Sequence, residues 1–311
     1  MTGSWTEGTG WADYCTFHHW QLKSGDVDPV YPVLREVGEL LELDGEARLW
    51  LTFLHVAYYH LGSALAAFEA TDGKVAMPPA DLVLPTGTER RAHRDHRQLR
   101  AHMRSLVDTI DSYGGISRWL GGAAYGSGSS QDRWSAVSSA VTRVHGNGRW
   151  AAFKTGEMLA AVNGFPLAAP DMGHANSTGP RHGLAVLYPD VPTGNDRNTL
   201  AELDRLSLDH LAHLHDAGLS ATLETAETTL CDWHAVTEGR YYVGHDVDQM
   251  LDQLRKSPTR LDGVALIARG RSFEPHLLGE ISGWPGVRKE LNRRYRDTGR
   301  LLWWLDGVSA A

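Results

Sequence analysis

The sequence predicts a mainly α-helical fold, and three observations support this fold class. Apolar residues recur at intervals of three and four along most of the chain, alternating apolar and polar residues are scarce, and no internal repeat is evident. The chain has 311 residues, of which 42% are hydrophobic, so it can bury a substantial core. Because no linker divides the chain, we expect a single helical domain over residues 1–311.

The helix boundaries follow from the apolar spacing and from the Gly and Pro residues that interrupt it. A first helix is expected after Pro29, the second is apolar almost throughout and should be buried, and the third is strongly charged and ends before Gly114. A polar loop is expected at 171–183, followed by C-terminal helices within about 197–305. The predicted helices span residues 30–43, 46–68, 89–112, 116–120, 132–144, 149–162, 199–217, 221–236, 246–255 and 286–297.

The composition argues against several classes of protein. Two cysteines are too few for a disulfide framework, and no long apolar run predicts a membrane-spanning helix. The N-terminal segment lacks the basic and then apolar order of a signal peptide, so we expect a cytoplasmic protein. The net charge of −8 argues against non-specific coating of nucleic acid, and any contact with DNA should be local.

A Gly-Asn-Gly turn joins two of the predicted helices. Only four residues separate helix 132–144 from helix 149–162, so the connection must be a tight hairpin. The glycines permit such a turn, and the backbone amides that follow it can hold a DNA phosphate at a helix N-terminus. We therefore predict DNA contacts from Gly146, Asn147, Gly148 and Arg149.

The hairpin, the helix after it and Asp171 together resemble the helix-hairpin-helix DNA glycosylase superfamily. Asp171 lies 23 residues beyond Gly148, close to the spacing at which that superfamily places its catalytic aspartate. The resemblance implies a helix-hairpin-helix glycosylase-like helical fold, with the hairpin and the aspartate at about 132–188. Lyase-type members carry a lysine nucleophile where this chain has Trp150, so a lyase is not expected. The alternative is that Asp171, after Pro170, only caps a helix.

Two further segments are candidates for binding anions. The predicted helix 89–112 carries six arginines and three histidines. Helical spacing places Arg90, Arg94 and Arg97 on one face, and Arg97, Arg100 and Arg104 also on one face. A solvated helix face with surface ion pairs is the alternative. The segment MGHANSTGPRHGL, directly after Asp171, is rich in small and hydroxyl residues and predicts an anion-binding loop. The anion-binding candidates are Arg90, Arg91, Arg94, Ser177, Thr178 and Arg181.

Five segments together resemble the thymine-hypermodification family of DNA phages: DPVYPVLREVG, ERRAHR, the hairpin with Asp171, STGPRHGL and ETTLCDWHAVTEGRYYVGHDVDQM. Its members are amino acid:DNA transferases, also called α-glutamyl/putrescinyl-thymine pyrophosphorylases, and the resemblance spans about residues 10–255. It implies an enzyme that acts on 5-hydroxymethyluracil in double-stranded DNA, already activated as a pyrophosphate ester. An amino acid or polyamine then displaces pyrophosphate from a flipped base, in the host cytoplasm if the chain is phage-encoded.

The resemblance also implies roles for the candidate residues. Asp171 orients the amine and accepts its proton, the arginines stabilise the departing pyrophosphate, and Arg149 and Lys154 reach DNA phosphate or pyrophosphate. It implies no cofactor, no metal and no membrane partner. The segment around Glu227, Cys231 and Asp232 is expected to belong to the pocket, although Cys231 itself fits a core position better. Tyr241 and Tyr242 are expected in the core, with stacking on a base as the alternative.

Two alternative functions stay open. A monofunctional DNA glycosylase explains the hairpin equally well, but it explains the arginines and the STGPRHG segment less well. A non-catalytic DNA-binding module would grip the DNA backbone through the hairpin and leave Asp171 dispensable. Product analysis separates these alternatives, since a glycosylase leaves abasic sites whereas a transferase leaves a heavier base and free pyrophosphate.

Overall fold

The computed structural model of the chain describes residues 10–175, 177–188, 190–192 and 194–274. Over these residues it contains thirteen α-helices, one short 3-10 helix at Arg91–Arg94 and no strand, which confirms the predicted mainly α-helical fold class. The α-helices are α1 (Gly10–Ser24), α2 (Val30–Leu40), α3 (Gly45–Tyr58), α4 (Leu61–Ala70), α5 (His96–Tyr113), α6 (Ile116–Ala124), α7 (Ser130–Val141), α8 (Arg149–Ala161), α9 (Gly179–Leu187), α10 (Arg197–Asp216), α11 (Leu223–Thr237), α12 (His245–Lys256) and α13 (Asp262–Ser272).

The described residues divide into two compact units. The hairpin unit comprises Pro29–Pro170 and Gln249–Ser272, and the aspartate unit comprises the described residues up to Asp28, Asp171–Asp248 and those from Phe273. The single domain over residues 1–311 and the glycosylase-like arrangement of helices stay predictions. The predicted helix 286–297 lies outside the described residues.

The apolar second helix predicted at 46–68 is two helices in the structure. Helix α3 ends where Tyr59 adopts a left-handed conformation (φ 47°, ψ 45°), and α4 begins after His60, whose Nδ1 accepts a hydrogen bond from the Ser63 amide at 3.1 Å. The helices are buried as predicted. Gly62 on α4 lies against the backbone of α12, since a Cβ at this position would clash with the Gln253 carbonyl. The prediction of one continuous helix is therefore wrong.

The charged helix predicted at 89–112 is also interrupted. The 3-10 helix Arg91–Arg94 ends at Asp95, and the Asp95 carboxylate caps α5 by accepting a hydrogen bond from the Arg97 amide at 2.9 Å. The prediction that Arg90, Arg94 and Arg97 share one helix face is therefore wrong, since of these three only Arg97 lies on α5. The second predicted group, Arg97, Arg100 and Arg104, does lie on this one helix.

The aspartate unit is built around α1, α9, α10 and α11. Its core includes Tyr14 and Phe17 from α1 and Leu230 and Trp233 from α11. Tyr241 and Tyr242 are 6% and 1% exposed, which confirms their predicted place in the core. Neither α1 nor α13, which lies in the hairpin unit, was predicted from the sequence.

Helix α9 lies partly inside the segment predicted as a polar loop. The prediction of a loop over 171–183 is wrong from Gly179 onward. Gly179 and Gly183 face α11 so closely that a Cβ on either would clash, with Cys231 and with the Leu230 carbonyl respectively. The two glycines of STGPRHGL therefore serve a close helix–helix contact.

No helix in the described part of the chain has both the length and the apolar character that a membrane span requires.

Candidate functional site

A turn joins α7 and α8, but its connection spans residues 142–148 and is longer than the four residues predicted, because α7 ends at Val141. Gly146 has a left-handed φ of 80°, and Gly148 is extended (φ −84°, ψ −176°) at the residue that precedes α8. The residues that keep the two helices close, Val144, Ala151 and Ala152, are 1%, 1% and 2% exposed. The turn is thus rigidly anchored on its inner side.

The outer side of the hairpin offers an open helix N-terminus. Gly148 and Arg149 are exposed, and no side chain caps α8. The first amides of α8 have no partner within the helix, and they carry the positive end of its dipole. A Cβ on Gly148 would meet no atom within 4 Å, so this glycine is not required by packing. Gly146 differs, because a Cβ there would lie 3.2 Å from His93 Nε2 and 3.3 Å from His102 Cβ.

Arg90 is buried beside this turn, and its positive charge is not balanced by a carboxylate of the described residues. It is 6% exposed, and its guanidinium donates to the Ala57 carbonyl at 3.4 Å, to His93 Nε2 at 2.9 Å and to Asn147 Oδ1 at 3.5 Å. No acidic side chain of the described residues pairs with it. Its guanidinium carbon lies 5.9 Å from the centre of a Trp150 ring. Burial lowers the pKa of Arg90 to about 10, so the group stays positively charged at neutral pH.

Two neutral histidines hold Arg90 and the hairpin together. His93 Nδ1 donates to the Ala57 carbonyl and His102 Nδ1 donates to the His145 carbonyl, both at 2.7 Å. Their rings lie 4.6 Å apart. Burial, reinforced by nearby positive charge, lowers the pKa of His93 to about 4 and that of His102 to about 3. These two histidines appear in the sequence only as members of an arginine-rich run, and their contact with the turn was not predicted.

The other cations predicted for pyrophosphate have separate surroundings. Arg91 and Arg94 are exposed, and Arg94 donates to the Thr88 carbonyl at 3.5 Å. Lys154 is 6% exposed and forms an ion pair with Glu157 at 2.7 Å. Of these four predicted cations, Arg90 is therefore the one that the structure brings against the turn.

Asp171 belongs to the aspartate unit and is half-buried. Its Oδ1 accepts a hydrogen bond from the Gly173 amide at 2.7 Å. The alternative that it caps a helix is wrong, because the next helix begins only at Gly179. No Lys or Arg of the described residues pairs with Asp171. Burial and the negative charge of Asp171 raise the pKa of the Asp204 carboxyl on α10, so Asp171 has an acidic neighbour that the sequence did not indicate.

The remaining candidates lie at the start of α9. Thr178 is exposed and makes no side-chain cap, and Ser177 Oγ donates to Glu227 Oε1 at 3.3 Å. Arg181 is 4% exposed and donates to the Gly194 carbonyl and to Asn195 Oδ1, both at 2.9 Å. Arg181 thus ties α9 to the following loop, and the pyrophosphate contacts of these three residues stay predictions.

The chain matches the model of a known protein family. The family model described as amino acid:DNA transferase matches residues 22–242, which is most of the chain and includes every predicted site residue. No curated protein matches the chain significantly. The family match agrees with the resemblance that the sequence segments indicated, and the chain therefore belongs to the amino acid:DNA transferase family.

Proposed function

We propose that this amino acid:DNA transferase acts on 5-(pyrophosphoryloxymethyl)uracil in double-stranded DNA. The proposal depends on one observation: Arg90 is a buried cation beside the open N-terminus of α8, and no carboxylate of the described residues pairs with it. Taking a cation out of water is costly, and a paired anion normally offsets this cost. A site of this kind suits a polyanionic group on DNA, whether a backbone phosphate or pyrophosphate.

The reaction is a displacement at the exocyclic methylene. The amine nitrogen forms a bond to this carbon, the carbon–oxygen bond breaks, and pyrophosphate leaves with the electron pair. Asp171 accepts the proton that the nitrogen loses. Asp171 is suited to this role because it is partly accessible and has no cation of the described residues to neutralise it.

The other candidate residues contribute binding in this proposal. Gly148 and Arg149 hold DNA phosphate at the hairpin, with Gly146 and Asn147 shaping the turn. Arg90 stabilises the departing pyrophosphate, and the exposed Arg91 and Arg94 add positive charge. Further contacts to the pyrophosphate are assigned to Lys154, Ser177, Thr178 and Arg181.

The test follows the products on DNA that contains the activated base. Duplex DNA is incubated with the protein and an amino acid, and the nucleosides are then analysed by mass spectrometry. We expect a base whose mass corresponds to the amino acid adduct, with one pyrophosphate released per adduct. Asp209→Asn serves as the control, because Asp209 forms an exposed ion pair with Arg205 on α10. Abasic sites without any adduct would instead establish a glycosylase and overturn the proposal.

A further inference from the structure

Three carboxyl groups of the aspartate unit surround the Tyr241 hydroxyl. Tyr241 donates to Asp26 Oδ2 at 2.7 Å and lies 3.4 Å from Asp246 Oδ2. Asp232 lies close enough for its charge, with those of Asp246 and Asp26, to raise the pKa of Tyr241 beyond the effect of burial. Acidic groups so close together repel one another, so such a cluster either retains a proton or takes up a positively charged group.

Asp26 has a structural explanation. It is 0% exposed and accepts hydrogen bonds from the amides of Gly244 at 2.8 Å and of Asp246 and Val247 at 3.2 and 3.1 Å. These amides belong to the first turn of α12 and the residue before it. Asp26 therefore holds the start of this helix, as negative groups at helix N-termini commonly do.

Asp232 has no comparable explanation. It is 9% exposed, Gln21 Nε2 donates to its Oδ2 at 3.0 Å, and the Tyr241 hydroxyl is a second hydrogen-bond partner of this carboxyl group. No Lys or Arg of the described residues pairs with Asp232. Asp246, its neighbour in the cluster, forms an ion pair with His245 Nδ1 at 2.5 Å, and its side chain is 35% exposed. The cluster thus joins a buried acid, Asp232, to a partly exposed one, Asp246.

The Gln21 amide gives a second, independent indication of a missing group. Gln21 is 0% exposed, and its Oε1 is buried with no hydrogen-bond partner among the described residues. Buried acceptors without a donor are rare, because leaving one unpaired costs the full desolvation of that group. This oxygen belongs to the same amide that contacts Asp232. The Gln21 oxygen and the Asp232 carboxylate both accept hydrogen bonds, and Asp246 adds negative charge beside them, so a group that donates hydrogens and carries positive charge would satisfy this site.

An ammonium group fits these requirements better than a metal ion. It supplies three N–H donors and one positive charge. Over the part of the chain that the structure describes, no group of three or more His, Cys, Asp and Glu side chains is arranged to hold a metal ion.

We propose that Asp232, Asp246 and Oε1 of Gln21 bind a protonated amine nitrogen of the substrate. This inference rests on the proposed transfer of an amine to DNA. Neighbouring carboxylates stabilise the charged form of an ammonium, so a nitrogen held here keeps its proton and cannot attack. The attacking nitrogen must then be a different one. The site therefore selects an amino acid or amine that carries a second, cationic nitrogen, and lysine is the simplest test substrate of this class.

Ammonium binding is coupled to a proton. Burial, together with the charge of Asp246, raises the pKa of Asp26 to about 7, and burial with the charges of its acidic neighbours raises the pKa of Asp232 as well. The free cluster therefore retains a proton near neutral pH, and an arriving ammonium displaces it to solvent. The cluster itself consists of Asp26, Asp232, Asp246 and Tyr241. The titratable groups that face it are Asp28, Asp248, Tyr14, Tyr242 and His245.

The first test measures binding without DNA. Calorimetric titration with 1,3-diaminopropane should show one site on the wild-type protein, and the uncharged 1,3-propanediol should not bind. The heat should change with the ionisation enthalpy of the buffer, because a proton is released. Asp232→Asn, which resembles the protonated side chain and should fold, is expected to weaken binding at least tenfold, whereas the Asp209→Asn control should not. Asp246→Asn, at a partly exposed position, provides a second variant with the same expectation.

Three results would overturn this site: no binding of the diamine at millimolar concentration, unchanged binding in both variants, or displacement of the diamine by Mg²⁺ at equal concentration.

The second test compares lysine with norleucine, which lacks only the side-chain ammonium, as amines for transfer. The wild-type protein should prefer lysine at least tenfold in kcat/KM, and Asp232→Asn should reduce this preference to within about twofold. Adduct formation with equal preference in both proteins would refute the site and leave the transferase intact. Diamine binding that depends on Asp232 without adduct formation would refute the transferase alone.

Discussion

Replacing Gly148 with valine tests whether the hairpin holds DNA through the N-terminus of α8. The glycine is extended, a conformation that valine adopts readily, and a Cβ there would meet no atom within 4 Å. The expected loss of stability is therefore limited to the poorer helix capping by valine, about 1 kcal/mol. The added side chain would occupy this open space next to the first amides of α8, and we expect it to hinder a phosphate from reaching them.

The expected effect on DNA affinity follows from the loss of this contact. A hydrogen bond to a charged group contributes about 1.5–3 kcal/mol, so affinity should fall roughly tenfold to a hundredfold. Affinity is measured by fluorescence anisotropy with a labelled duplex, and stability by thermal unfolding. Gly45→Val is the matched control, because Gly45 begins α3 with equally open surroundings. A folded Gly148→Val protein that binds DNA as tightly as the Gly45→Val protein would refute the role of the hairpin.

Three further predictions concern the cations, the aspartate and the histidines. Arg90→Met should reduce product formation on the order of a hundredfold while changing thermal stability little, and a variant with full turnover would remove Arg90 from the site. Asp171→Asn should bind DNA normally but form product on the order of a hundredfold more slowly, and normal turnover would exclude its role as proton acceptor. His93 and His102, with pKa values lowered from 6.5 to about 4 and 3, are neutral in the folded protein and take up protons on unfolding below pH 6.5. Their contribution to stability is full above pH 6.5 and falls with pH by about 1.4 kcal/mol per unit for each histidine, so His102→Gln should flatten the pH dependence of the free energy of unfolding between pH 6 and 4.

Apolar periodicity predicted the helices whose buried side chains are mostly apolar. It did not predict helix α1, because the buried face of this helix includes His18, Gln21 and Ser24 beside two aromatic residues. The break between α3 and α4 occurs at Tyr59, whose left-handed conformation has no signal of the kind that Gly or Pro would give. Asp95 is a helix-capping residue type, but the arginines on both sides of it favoured one continuous charged helix.

The sequence predicted which residues form the candidate site better than it predicted how deeply they are buried and what they contact. The turn at Gly146 and Gly148 follows from the short spacing between two periodic segments. The burial of Arg90 does not, because it depends on the Ala57 carbonyl and the Asn147 side chain, which are 33 and 57 residues distant in the chain. Gly179 and Gly183 favour a loop when the sequence is considered alone, since only the neighbouring helix reveals that these glycines permit close packing.

The position of α1 determines how the protein can be shortened. The family match begins at residue 22, inside α1, and a version that starts there would lose Tyr14 and Phe17 from the core of the aspartate unit. Both side chains are 0% exposed, so their removal would leave an apolar cavity against Trp233 and Leu230. Such a shortened protein should aggregate or unfold for reasons unrelated to catalysis. A version for binding and turnover assays should therefore begin no later than Gly10.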